Sequence, residues 1–278
     1  MPVIVTLSSI PPRFADMGPT LASLLAQDQP ADRIILYIPN TYRRFPEWDG
    51  VLPKVPEGVE IHRCDTDYGP ATKVLPALRA FAGQDVEILF CDDDRAYSPR
   101  LIREMLKLRR AHPEAALCNR TLLAEEITDS TGADRPQPFL RRTWRITDVG
   151  FQLRFLWAQI KAGRNWRDVT SPGRETYKRS GHTDIFEGCG GVMVRPEFFP
   201  EFAFEIPEKL WMVDDIWLSG VLAANKVPIW FHYKLKSPPE TRARDHAALS
   251  DSVIEGLNRD AANRNAAHYL QQTYGIWP

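Results

Sequence analysis

The sequence predicts an α/β protein, a mostly parallel sheet flanked by helices. Three observations carry this expectation. The first 120 residues alternate short apolar runs with stretches of helical spacing, the rhythm of repeated strand–helix units. Polar residues with chemical potential gather just beyond the ends of those strands, where open α/β sheets keep their ligand crevice. The chain has 278 residues, a length that suits one large domain or a domain with a sizeable insertion, and is enough to bury a full core.

In chain order, Val3–Leu7 (VIVTL) reads as a buried strand and Thr20–Gln27 as a helix. Arg33–Ile38 (RIILYI) is a second strand closed by Pro39, and Glu60–Cys64 a weaker third. Thr72–Phe81 has helical spacing, with Pro76 to be accommodated because proline lacks the N–H of a helix interior. Glu87–Cys91 (EILFC) is the fourth strand. Pro99–His112 is a helix with Ser98 as its expected N-cap, and Ala116–Cys118 a short strand. Beyond residue 120 the rhythm breaks. A polar loop at Thr128–Pro138 precedes a helix near Val149–Lys161, and a second loop rich in Gly, Pro, Arg and Ser follows. Gly188–Arg195 is a glycine turn into a strand, Asp214–Ala224 a helix opened by two aspartates, and Pro228–Phe231 a last strand. Ser250–Tyr274 reads as mostly helical. The expected organisation is a single domain over 1–278, with a nucleotide-binding half at 1–120 and an acceptor-binding half at 120–278.

Composition narrows the function classes. At 44% apolar and 26% charged the chain is an ordinary globular sequence, and its net charge of −1 predicts no nucleic-acid partner. Four dispersed cysteines without a CxxC pair read as reduced thiols, hence a cytoplasmic setting. The opening "MPVIVTLSSIPPRF" lacks the basic and long apolar regions of a signal peptide. No apolar run reaches the about 20 residues that span a bilayer. Residues 135–179 are locally basic, eleven Lys and Arg against three Asp and Glu. The plain reading is a solvated cationic face. The sharper one is an anionic acceptor, a lipid-phosphate headgroup or a diphosphate, with peripheral contact at the inner face of a membrane.

Five clusters are candidates for chemistry. In "EILFCDDDRAYSP", Asp92, Asp93 and Asp94 end the fourth strand. Adjacent carboxylates repel unless a cation or solvent compensates. Alternation along extended chain lets Asp92 and Asp94 share a target while Asp93 points elsewhere, and their oxygens suit Mg²⁺ or Mn²⁺. Asp214 and Asp215 start a helix among large apolar residues; they either cap it or include a general base of raised pKa. Gly188, Gly190 and Gly191 give a tight turn or a close ligand approach. His232 ends the last strand, with His246 as a rival metal ligand and His182 a weaker one. In "DTDYGPATK", Tyr68 precedes a turn and Lys73 sits at a helix start, where an anion would offset its clash with the helix dipole.

Taken in order, these motifs resemble the GT-A-fold glycosyltransferases, whose core is Rossmann-like. The aspartate run, the turn "EGCGGVMVRPEFF", the acidic helix start "VDDIWLSGVL" and the late "FHYK" are similar to inverting fringe and β1,3-galactosyltransferase-type enzymes. The opening "TLSSIPPRF…LASLLAQ" looks more like bacterial family-2-like sugar transferases. The resemblance spans roughly residues 3 to 235. It implies a metal-dependent hexosyltransferase using a nucleotide-sugar donor, a UDP-sugar first, and a glycan or lipid-linked hydroxyl acceptor. By the same resemblance Asp94, Asp92 and His232 would hold Mn²⁺ or Mg²⁺. Asp215, or Asp214 in its place, would be the base. Thr6, Ser8, Arg13, Tyr68, Lys73, Asp92, Asp93, Gly190 and Gly191 would bind the donor. Two other classes compete. A Mg²⁺-dependent nucleotidyltransferase would carry a glycine- and lysine-rich phosphate loop where this chain has "SSIPPRF". A non-catalytic carbohydrate- or partner-binding module would need neither the metal nor the acidic helix start.

Overall fold

A computed structural model describes residues 1–132, 135–141, 149–163, 177–246 and 259–278. Strand β1 is Val3–Ser8, followed by helix α1 (Gly18–Leu25), β2 (Arg33–Pro39), β3 (Val59–Cys64) and α2 (Leu75–Ala80). Then come β4 (Glu87–Phe90), α3 (Leu101–Ala111), β5 (Ala116–Cys118) and β6 (Thr121–Leu122). Helix α4 (Val149–Ala162) precedes β7 (Gly181–Thr183), β8 (Ile185–Phe186) and β9 (Val192–Val194). The chain closes with α5 (Asp214–Ala224), β10 (Ile229–Phe231) and α6 (Arg259–Tyr274). The expected helix over Ser250–Tyr274 is α6 from Arg259; 250–258 lie outside the described residues, as do 164–176 of the second loop.

The main sheet has eight strands in the order β3-β2-β1-β4-β9-β5-β10-β7. β3, β2, β1 and β4 are mutually parallel, and β10 runs parallel to β5. β9 is antiparallel to both β4 and β5, and β7 is antiparallel to β10. The chain winds outward from β1 through β2 to β3, then returns to β1's other side with β4. That reversal opens a crevice at the carboxyl ends of β1 and β4.

Side-chain alternation sorts the core into two layers. Ile4, Ile35, Tyr37, Ile88 and Phe90 face one layer, built with α2, α5 and α6. Val3, Val5, Leu7, Leu36 and Leu89 face the other, built with α1 and α3. Each fully buried Leu, Ile or Phe contributes about 1.5–3 kcal/mol of transfer free energy to this arrangement. α5 is buried along almost its whole length, and Gly220 lets α6 approach: a Cβ there would lie 2.6 Å from Leu270 Cδ1.

α1 is shifted two residues toward the amino end of the expected Thr20–Gln27, and two further helix boundaries differ from expectation for local reasons. The helix expected over Thr72–Phe81 is divided into a 3-10 turn at Gly69–Lys73 and α2, which restarts around Val74 and places Pro76 in its first turn, where no N–H is required. α3 begins at Leu101 rather than Pro99. Ser98 does not act as its N-cap; its carbonyl accepts the Leu101 N–H at 3.0 Å in the turn that leads in.

Candidate active site

A cavity of about 420 Å³ lies over the switch between β1 and β4. Ser8 and Ser9 reach it from the end of β1, and Asp92, Asp93 and Asp94 from the end of β4. Lys73 comes from the turn after β3, Cys189 from the turn before β9, and Asp214 and Asp215 from the first turn of α5. Of the sequence-predicted residues, Ser8, Arg13, Lys73, Asp92–Asp94, Asp214 and Asp215 therefore converge on one space.

Lys73 is the centre of one half. Its ammonium lies 2.7 Å from Asp92, 2.9 Å from Asp214 and 3.8 Å from Asp215. Burial works to lower its pKa, but Asp214, Asp92 and Asp215 together hold it well above the ordinary lysine value. Asp92 responds in kind: burial works against its charge, yet the ion pair with Lys73 wins and lowers its pKa. The two α5 aspartates are not equivalent. The Asp214 side chain is 4% exposed, whereas that of Asp215 is 23% exposed. Asp215 Oδ1 accepts the Gly188 N–H at 3.0 Å. Burial and the neighbouring Asp214 push the Asp215 carboxyl up to about 8, against the pull of Lys73.

Arg13 organises the other half. It donates to Asp93 Oδ1 at 2.7 Å and stands 3.3 Å from Asp94 Oδ2. Asp93 also accepts the Ser9 hydroxyl at 2.5 Å, and its carbonyl accepts the Thr20 hydroxyl at 2.8 Å, which ties the aspartate run to α1. Asp92 points with Phe90 and Asp93 with Leu89, as alternation requires. The chain then turns at Asp93–Asp94, so Asp94 swings to the Arg13 side. Asp92 and Asp94 both line the cavity, but they do not share an ion-pair partner; the turn overrides the alternation from which a common target was expected. Burial, reinforced by Asp92 and Asp93, raises the Asp94 carboxyl to about 6 despite Arg13 and Arg95.

The remaining expected residues lie outside the cavity lining. Thr6 is buried inside β1, paired in register with Phe90. Tyr68 packs its ring edge-on against Phe204. Gly190 sits against Asn119, whose Oδ1 would be 1.9 Å from an added Cβ. Gly191 takes φ 88°, a turn conformation that glycine adopts without strain. Gly188 is the glycine that meets the site, where a Cβ would stand 2.5 Å from Lys73 Nζ. His232 is engaged by the Ser180 hydroxyl at 3.0 Å through Nδ1. His246 pairs with Asp16 at 3.1 Å, and its carbonyl accepts Arg13 Nε. His182 lies in β7 with its ring edge-on to Trp230.

The expected cation set of Asp92, Asp94 and His232 is therefore not brought together. Among the described residues no three His, Cys, Asp or Glu side chains gather into a metal-binding group. Asp94 Oδ1 is the one fitting atom in that set: it is buried and accepts no hydrogen bond, its nearest cation being Arg95 Nε at 3.3 Å. A hard cation that keeps its waters and arrives with phosphate oxygens needs only one or two protein carboxylates.

Sequence reasoning missed the far wall. Tyr42 and Phe45, after β2, line the cavity with Arg44, and Trp211 and Arg259 close the α5 side. Tyr42 is anchored through its hydroxyl to the Ser9 carbonyl at 2.7 Å, and the Trp211 indole N–H to the Asp67 carbonyl at 2.9 Å. The available signal was the position of "NTYRRF" immediately beyond a parallel strand's carboxyl end.

No protein-family model matches the chain, nor does any curated protein. Among solved structures it is similar to S. aureus TarS. The structure of TarS residues 1–349 in complex with UDP is 14% identical, at a TM-score of 0.42, with 86% of this chain and 59% of that chain covered. The same fragment in complex with UDP-GlcNAc is 16% identical at a TM-score of 0.31, over 51% of this chain and 39% of that one. The chain thus spans about three-fifths of the UDP-bound fragment.

Proposed function

We propose that this protein transfers a sugar, a hexose first, from a nucleotide-diphosphate donor to the hydroxyl of a glycan or lipid-linked acceptor, with inversion at the anomeric carbon. The donor class is a UDP-sugar. The observation that carries the reading is the pairing, in one cavity of about 420 Å³ at the sheet's switch point, of a carboxylate kept basic with a set of cations. That volume lies in the range of cofactor and ligand sites, roughly 300–1,000 Å³.

Asp215 is the base. It is the more accessible of the α5 pair, and its raised pKa makes it a better proton acceptor than an ordinary carboxylate. It takes the proton of the acceptor hydroxyl as that oxygen attacks the anomeric carbon. The bond from that carbon to the phosphate oxygen breaks, and its electron pair leaves with the diphosphate. Arg13, Arg95 and Lys73 line the same cavity and offset the charge that develops there. Lys73 also holds Asp92, Asp214 and Asp215 at fixed separation. A divalent cation would supply Lewis-acid stabilisation of the same charge when bound at Asp94. Tyr42 and Phe45 give the nucleobase an apolar wall.

The test is a thermal-shift titration with UDP, other nucleoside diphosphates and Mn²⁺, followed by donor turnover across a panel of nucleotide sugars. A ligand present at 100 times its dissociation constant stabilises the fold by about 2.7 kcal/mol. UDP is expected to raise the melting temperature and a UDP-sugar to be consumed. A chain that responds to no nucleotide, with or without metal, is a binding module instead.

A further inference from the structure

We propose that the exposed face of α4 docks on an anionic lipid surface. Five large apolar side chains on this one helix are solvent-exposed: Val149, Leu153, Leu156, Trp157 and Ile160, each between 53% and 67% accessible. They recur at intervals of three and four residues and fall within an arc of about 100° on the helix. Phe151 and Phe155, whose rings stack 6.1 Å apart, are half-buried on the opposite side, so α4 has a second apolar stripe for its own chain. The outer stripe serves nothing among the described residues. Contiguous apolar surface of this kind marks an interaction site.

Charge selects the occupant. Residues 135–179, which bracket α4, carry a net +8, while the remainder of the chain carries −9. Cationic flanks around an apolar helical stripe are the pattern of helices that lie in a lipid–water interface, where anionic headgroups meet the base charge. Three of the chain's eight tryptophans, Trp144, Trp157 and Trp166, fall in the same stretch, and tryptophan favours that interface. The Lys161 ammonium stands 4.4 Å from the Trp157 ring centroid, at the edge of the stripe, where its stem can lie along apolar surface while the head stays in water. A second copy of this face is the weaker fit, because it would set two stretches of +8 against each other. With 14 residues, α4 is about 21 Å long, too short to cross a bilayer, and no helix among the described residues is long and apolar enough to do so. The helix therefore lies on the surface.

Co-sedimentation of the full chain with phosphatidylcholine vesicles, with and without phosphatidylglycerol, tests this independently of any nucleotide or sugar. Binding to the phosphatidylglycerol vesicles is expected to exceed binding to neutral ones by about tenfold at low salt and to weaken as salt rises. The double variant Leu156→Glu, Trp157→Glu is expected to lose about tenfold or more of that binding, with an unchanged melting curve because both positions are exposed. Ile160→Gln gives the same readout in milder form if the double variant melts early. Equal binding to both vesicle types, no binding to either, or undiminished binding by the variants overturns the proposal. So does concentration-dependent self-association without vesicles that the variants abolish, which would assign the face to a second copy.

Discussion

At the scale of single residues, the site turns on how Lys73 divides three carboxylates. It pairs closely with Asp92 and Asp214 and stands farther from Asp215. Burial, reinforced by the neighbouring Asp214, raises the Asp215 pKa to about 8 from an ordinary 3.8, and the more distant Lys73 only partly opposes that rise. Two consequences follow from the sign of that shift. The folded chain keeps a proton that the unfolded chain has already released, so between about pH 4 and pH 8 this group withdraws stability as pH rises. A neutral side chain removes that loss. Asp215→Asn is therefore expected to melt at higher temperature than the parent at pH 8, with the difference vanishing near pH 4. The same substitution removes the proposed base, so transfer is expected to fall by about 10²–10⁴-fold while UDP binding persists. A scan of melting temperature against pH beside a turnover assay reads both. Normal transfer by the variant would remove Asp215 from the mechanism. In the parent protein the rate of the proposed transfer is expected to climb as pH rises through about 8, as the carboxyl gives up its proton.

At the scale of elements, strand and helix order was legible because apolar runs of four to seven residues bounded by Pro and polar clusters leave little alternative. The aspartate run and the acidic start of α5 were legible as well, since their places in the α/β pattern put both at one end of the sheet. What the pattern could not carry was the path of a turn. Asp94 leaves the Asp92 side because the chain bends at Asp93–Asp94, and no periodicity encodes that bend. His232 ends its strand as expected, but β10 lies three positions from β4 in the sheet, separated by β9 and β5. Spatial strand order is not sequence order, so nearness to Asp94 could not be read. The glycine turn was found, but which glycine faces the site depends on the three-residue turn before β9. Gly188 is that residue: a Cβ would stand 2.5 Å from Lys73 Nζ and 2.8 Å from Asp215 Oδ1. Both are ends of side chains that can swing away, so Gly188→Ala is expected to displace the ion cluster rather than unfold the chain. Transfer should drop by about ten- to a hundredfold, with a stability loss at the low end of the about 1–3 kcal/mol that overpacking costs. Gly69→Ala provides the contrast. Gly69 has φ 60°, and its Cβ would meet the Trp211 carbonyl oxygen at 2.8 Å. Backbone cannot swing aside, and a stability loss of about 1–3 kcal/mol is expected in urea denaturation.

At the scale of the whole molecule, β4 carries the cavity's aspartate run at one end and an anchor at the other. Glu87, at its amino end, is fully buried; it forms an ion pair with Arg109 of α3 at 2.8 Å and accepts from Arg195 Nε, just past β9, at 2.9 Å. One carboxylate thereby fixes β4 to a helix on one face and to its antiparallel neighbour in the sheet. Arg109 has further partners, its Nη1 donating to the carbonyls of His112 and Pro113, while its Nε and Glu87 Oε2 are buried and make no hydrogen bond among the described residues. Five residue steps of extended chain separate this anchor from Asp92 by about 17 Å. Removing one charge from a buried ion cluster leaves the others uncompensated, at a cost of about 3–5 kcal/mol. Glu87→Gln keeps the shape but not the charge, and is expected to lower the unfolding free energy by that amount, read as a lower urea midpoint with an unchanged slope of the transition. Because the anchor and the cavity lie at opposite ends of β4, UDP affinity measured well below the melting temperature should stay within about twofold of the parent, a difference of about 0.4 kcal/mol. A variant of unchanged stability, or one that loses nucleotide binding while fully folded, would contradict this separation of anchor from site.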